Sequence, residues 1–149
     1  MGSTLTDMEV SPSARARALG IVVMIVGVVF VVAGVATYVV VSSTLADQKI
    51  TVSDDAAHFA GNQVDQPWEA YAQANVIAKH ADKIAGGKTY AELPQDDPNR
   101  ATVMDASFLQ ASLFTSVVAF GVAVMAAVLG LVLILIGWAL RSPLRVDAG

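Results

Sequence analysis

Hydrophobic positions fall into two uninterrupted blocks, one near each end of the chain, with a patterned polar stretch between them. The first block, ALGIVVMIVGVVFVVAGVATYVVV, covers 18–41, and the second, SLFTSVVAFGVAVMAAVLGLVLILIGWAL, covers 112–140. Each exceeds the ~20 apolar residues that cross a hydrocarbon core about 30 Å thick, and neither contains a charged side chain. Backbone amides in lipid must be satisfied within the protein, so each block predicts a helix despite its many valines.

Small residues recur along both blocks at one period. Gly20, Gly27 and Gly34 are spaced by seven, and so are Ala123, Gly130 and Gly137. Seven residues is close to two helical turns, so each set makes one narrow stripe. Small residues let helix backbones approach closely, a main source of helix association in membranes. In an antiparallel pair opposed residues have a constant sum of numbers, which sets Gly20 against Gly137, Gly27 against Gly130 and Gly34 against Ala123. Frequent glycine in membrane helices is the plainer explanation of the same residues. Gly121 falls nearly opposite Ala123 on the helical wheel and marks a possible second contact face.

The stretch 42–111 is too long and too patterned for a bare loop. Ser53, with Asp54 and Asp55 behind it, predicts a short capped helix ended by Gly61 and Asn62. Asp65-Gln66-Pro67 opens a second helix, about 66–85, which Gly86-Gly87 closes. Ala70, Ala74, Ile77, Ala81 and Ile84 form its apolar face. Residues 88–95 read as a connector. Asp97 and Pro98 open a helix near 98 that nothing interrupts before Pro143, with Val103, Met104 and Phe108 packing on the 66–85 helix. Tyr38 and Trp138 suit headgroup depth as interfacial anchors, and Phe108, Phe114 and Phe120 read as lipid-facing or packing residues.

Composition agrees: 55% of the 149 residues are hydrophobic and 15% charged. The stretch 42–111 holds ten acidic and five basic residues. Arg15 and Arg17 precede the first block, and Arg141 and Arg145 follow the second. The positive-inside rule puts both termini in the cytoplasm and 42–111 outside. The segments are then a cytoplasmic tail (1–17), a first span (18–41), an extracytoplasmic helical segment (42–111), a second span (112–140) and a cytoplasmic tail (141–149). Cleavage of the first block as a signal peptide after Thr44-Leu45-Ala46 is the alternative, but the block is about twice the usual ~7–15-residue signal core. The expected fold is therefore an all-α membrane protein: an antiparallel two-helix transmembrane hairpin with a helical extracytoplasmic segment between the spans.

The strings ITVSDDAAHFAG, AYAQANVIAKHA, GGKTYAEL and DPNRATVMDASFLQASLFTSVVAFGVA resemble a family of small actinobacterial two-helix membrane proteins whose members often carry the name aromatic ring-opening dioxygenase LigA. The resemblance covers most of the chain. It implies a shared two-helix architecture of unknown role and carries over no functional residue.

Candidate chemistry is sparse. The chain has no Cys, hence no disulfide and no thiolate metal site. Asp54, Asp55 and His58 fall within about one turn, and His80 and Asp82 come later. Two His and a carboxylate can bind iron or zinc, but no paired spacing joins them. No phosphate loop or glycine-flanked nucleophile occurs, and no ionisable residue lies within either span, where a transport pathway would want one. The net charge of −4 argues against a nucleic-acid partner. The expected role is a non-enzymatic structural or accessory subunit of a cell-membrane assembly. It carries no cofactor, and its partners are the lipid bilayer and a second copy or another membrane protein. A sensor or ligand-binding module using Trp68, Tyr71 and His80 is the alternative, and a metalloenzyme using Asp54, His58 and His80 a more distant third.

Overall fold

The computed structural model describes residues 12–142. The helix stop Pro143 and the flanking charge Arg145 lie outside the described residues. Three α-helices carry the fold: α1 (Pro12–Asp47), α2 (Pro67–Ala85) and α3 (Arg100–Arg141). Among the described residues there is no strand, only an isolated antiparallel bridge between Thr51 and Gln63. The protein is all-helical.

Helices α1 and α3 are each long and apolar enough to cross a membrane. Only 17% of the most apolar window of either helix is buried. A core helix of a soluble protein would have most of that surface covered. Both helices outrun their apolar blocks: α1 continues past Val41 to Asp47, and α3 starts at Arg100, ahead of Ser112. A helix of 36 residues, such as α1, rises about 54 Å, well beyond a ~30 Å hydrocarbon layer.

The chain divides into two compact units. The described part of the first comprises the α1 residues through Gly34 and the α3 residues from Met125 onward. Its packing is set by glycine, as described below. The second unit, Val35–Val124, contains the end of α1, all of α2 and the start of α3. Its core gathers Leu45, Val52, Val64, Ala70, Ala74, Leu113 and Phe120, with Tyr38, Val41 and Ile77 packed against them. A smaller cluster joins Ala85, Leu93 and Val103 under Tyr90.

Three local expectations are corrected here. Residues 53–60 form no helix. Val52 N–H donates to the Asn62 carbonyl (2.8 Å), Gly61 N–H to Val52 (2.9 Å) and Val64 N–H to Ile50 (2.8 Å), which folds 50–64 back on itself. The alternation in Ile50-Thr51-Val52 buries Val52, and Val64 from the returning arm is fully buried with it. Two buried β-branched residues outweigh one helix cap. Second, the buried face of α2 includes Glu69, Gln73, Val76 and Ala85, whereas Ile84 is exposed. Polar side chains replace apolar ones there because the loop brings unpaired backbone donors to that face. Third, Phe108 is 65% exposed and does not pack, although Val103 is buried.

The ends of α2 follow from its sequence. Pro67 takes the first turn, where its missing N–H costs nothing. Gly86 is left-handed at φ 62°, and Gly87 N–H returns to the Asp82 carbonyl at 2.9 Å. That pattern closes the last turn and requires a residue tolerant of positive φ. Helix α3 begins at Arg100 rather than 98, because Asp97 Oδ1 accepts from Asn99 N–H at 2.8 Å and holds Pro98-Asn99 in a turn first. The connector contains one 3₁₀ turn, Tyr90–Glu92, with Glu92 Oε2 accepting from both Thr89 N–H and Thr89 Oγ1–H at 2.8 Å. Those two bonds hold the Glu92 carboxyl below the ordinary carboxylate range.

Candidate functional site

The first unit is built on direct backbone contact. A Cβ placed on Gly20 would sit 2.7 Å from the Gly137 carbonyl oxygen, and one on Gly137 would sit 2.5 Å from that of Gly20. Gly27 and Gly130 repeat the arrangement at 2.6 and 2.5 Å. Carbon does not approach carbonyl oxygen that closely, so neither position accepts any side chain. The hydrogen standing in for each Cβ points at the opposing carbonyl, a Cα–H···O geometry typical of tight helix crossings. One turn away, Met24 Cγ and Ile134 Cγ1 fill the flanks, each within 2.8 Å of the space a Cβ would take on Gly137 or Gly27. Within this unit Gly20 thus meets Gly137 and Gly27 meets Gly130. Gly34, at the unit's edge, is buried, and Ala123, in the second unit, is 2% exposed. Gly121 is exposed, with nothing within 4 Å of its Cβ position.

The second unit orders its loop with polar side chains. Glu69 Oε2 accepts from the N–H groups of Gln66 (3.1 Å) and Asp65 (3.3 Å), and Asn62 Nδ2 donates to Glu69 Oε1 at 3.4 Å. Gln73 Oε1 accepts from Ser53 N–H at 2.9 Å and from its hydroxyl at 3.3 Å. Both side chains are more than nine-tenths buried, yet no buried side-chain N or O among the described residues lacks a partner. Tyr38 packs its ring 4.7 Å from Phe120 and donates its hydroxyl to Gln66 Oε1 at 2.6 Å. Arg100 lies over the Tyr90 ring and donates to the carbonyls of Tyr90 and Leu93. Each contact ties a loop to a helix through a buried or half-buried donor.

The candidate ligand residues are mostly kept apart. Among the described residues no group of three or more His, Asp or Glu side chains is placed to hold a metal ion. Of Asp54, Asp55, His58, His80 and Asp82, the structure joins Asp55 to His80: His80 Nε2 lies 2.7 Å from Asp55 Oδ2, with both side chains nearly half exposed. That hydrogen bond is the main reason the Asp55 carboxyl titrates below its ordinary value. The His58 ring stands 6.3 Å from that of its neighbour Phe59. A shallow cavity of about 220 Å³ lies between this loop and α2, lined by Asp55, His58, Phe59, Ala72, Val76 and Lys79 among others. Trp68 and Tyr71 do not line it. Both are about half exposed, and Tyr71 meets Phe114 edge-on at 5.8 Å. His80 does not line the cavity either.

Sequence reasoning passed over Glu69 and Gln73 as structural centres. The capping spacing from Gln66 to Glu69 was a usable signal. No local pattern marks Gln73, Tyr38 or Phe120, whose partners lie at least 20 residues away.

Comparison with protein families, with curated proteins and with solved structures finds no match.

Proposed function

We propose that the chain is an integral protein of the cell membrane, a transmembrane hairpin that serves as a non-enzymatic structural or accessory subunit. In this reading the spans lie within α1 and α3, both termini face the cytoplasm, and residues 42–111 form a helical layer outside. The observation that carries it is the pairing of extremes along the apolar helices: closed backbone contact at Gly20–Gly137 and Gly27–Gly130, and large apolar side chains left exposed elsewhere. Ile25, Val29, Leu135 and Trp138 are each roughly 60% exposed, a surface suited to lipid or to another membrane helix. The arginines flanking the spans and the acid excess of 42–111 support the orientation. The ordered outer layer offers a surface to a second copy or to a larger membrane assembly. The likeness to small actinobacterial two-helix membrane proteins fits this build, and the dioxygenase name some of them carry adds no ligand set here.

The cysteine-free sequence permits a direct test. Asn75→Cys on α2 reacts with a membrane-impermeant maleimide on intact cells, whereas Ser142→Cys reacts only after lysis. The reverse pattern, or recovery of the chain without detergent, refutes the topology. Crosslinking in native membranes followed by purification then identifies the partner, and a chain that is always monomeric and uncrosslinked refutes the subunit role.

A further inference from the structure

The first unit holds a second feature besides its glycines. Along α1, Ile21, Met24, Ile25, Val28 and Val29 line a groove of about 320 Å³, and the sixth lining residue is Arg141, at the end of α3. The five α1 positions follow helical spacing, so the groove runs along one face for about 12 Å at 1.5 Å per residue. Its volume is at the lower end of the ~300–1,000 Å³ typical of ligand clefts.

Arg141 is the unusual member. Its side chain crosses Gly20, with Cγ 3.0 Å from the Cβ position there, and runs toward Met24. Its Nη1 reaches Met24 Sδ at 3.8 Å. A thioether is a weak acceptor, and a guanidinium carries five N–H donors. Among the described residues Arg141 makes no ion pair. The described part of this unit contains Arg15, Arg17 and Arg141 and not one Asp or Glu. A cation thus lies at the end of an apolar groove, and among the described residues of this unit there is no carboxylate side chain to meet it.

We infer that this groove is a binding site for one anionic glycerophospholipid, with an acyl chain along Ile21–Val29 and the phosphate on the Arg141 guanidinium. The inference rests on the membrane reading above. Apolar lining suits a hydrocarbon chain, and a planar guanidinium suits phosphate oxygens, which it can grip with two parallel bonds. The cytoplasmic ends of membrane helices are where basic pockets meet such headgroups. Arg15 and Arg17 add attraction of the same sign.

Native mass spectrometry from mild detergent tests it, with phosphatidylglycerol or phosphatidylcholine of the same acyl chains as probes. One phosphatidylglycerol should be retained per chain in preference to phosphatidylcholine. Arg141→Gln should lower that retention about fivefold, as expected for one lost phosphate contact. Val28→Trp, which fills the groove and leaves Arg141 in place, should lower it as well. Lys88→Gln, with the same change in net charge in the other unit, should retain the wild-type level. Glycerol phosphate without acyl chains should not displace the lipid. Equal retention of the two lipids, unchanged retention in Arg141→Gln, or displacement by glycerol phosphate alone overturns the site. A chain that is soluble without detergent instead overturns the membrane reading beneath it, so the two failures are distinct.

Discussion

Gly27 and Gly130 meet backbone to backbone, each leaving no room for a Cβ beneath the other's carbonyl oxygen, at 2.6 and 2.5 Å. Gly27→Ala must therefore move a helix rather than a side chain. Overpacking of this kind costs about 1–3 kcal/mol, and Gly27→Leu should cost more. Gly121→Ala is the matched control, because nothing lies within 4 Å of that position. Thermal unfolding in detergent should fall for Gly27→Ala and stay level or rise slightly for Gly121→Ala. Equal behaviour of the two would mean that the close approach contributes nothing.

Glu69 satisfies two backbone donors and one side-chain donor ahead of α2, and it is 7% exposed. Glu69→Ala strands the N–H groups of Asp65 and Gln66 and should cost about 1–3 kcal/mol. Amide hydrogen exchange should accelerate first at 62–66, before the body of α2 is affected. Uniform exchange along the chain would argue against a local role.

Tyr38 holds two contacts that substitution can separate. Tyr38→Phe keeps the ring on Phe120 and loses the bond to Gln66, an expected loss of about 0.5–1.5 kcal/mol. Phe120→Ala removes a side chain that is 1% exposed and should cost about 3–5 kcal/mol. If the two variants unfold at the same temperature, the aromatic pair is not the anchor of the second unit.

The Asp55–His80 contact makes a titration prediction. Asp55 is held ionised below its ordinary range, chiefly by the bond from His80, so the folded state binds this proton less tightly than the unfolded chain. Its contribution is present above the ordinary carboxylate range and disappears as the pH falls through the depressed value. The Asp55 carboxyl carbon, followed by NMR, should titrate lower than in a free peptide. His80→Gln should move the midpoint back up, and no movement would assign the depression to another group.

Much of this architecture was legible in residue order. Two charge-free blocks of more than ~20 residues predict helices, and α1 and α3 contain them, while Pro67 and Gly86 bracket α2 because each has its own backbone geometry. The sevenfold spacing of Gly20, Gly27, Gly130 and Gly137 named residues that the fold brings together in two pairs. The misreadings share a cause. Ser53-Asp54-Asp55 resembles a helix cap locally, but burial of Val52 with Val64 and the reach of Gln73 to Ser53 N–H reassign it to a turn.

The sequence by itself determined the three long helices, because apolar run length, capping and turn residues act over neighbouring positions. Only the tertiary structure decided that Tyr38 faces Phe120 and Gln66, that Glu69 and Gln73 are buried, and that Arg141 closes an apolar groove on α1. Those outcomes depend on which donor meets which acceptor across distant parts of the chain, and no local period records that.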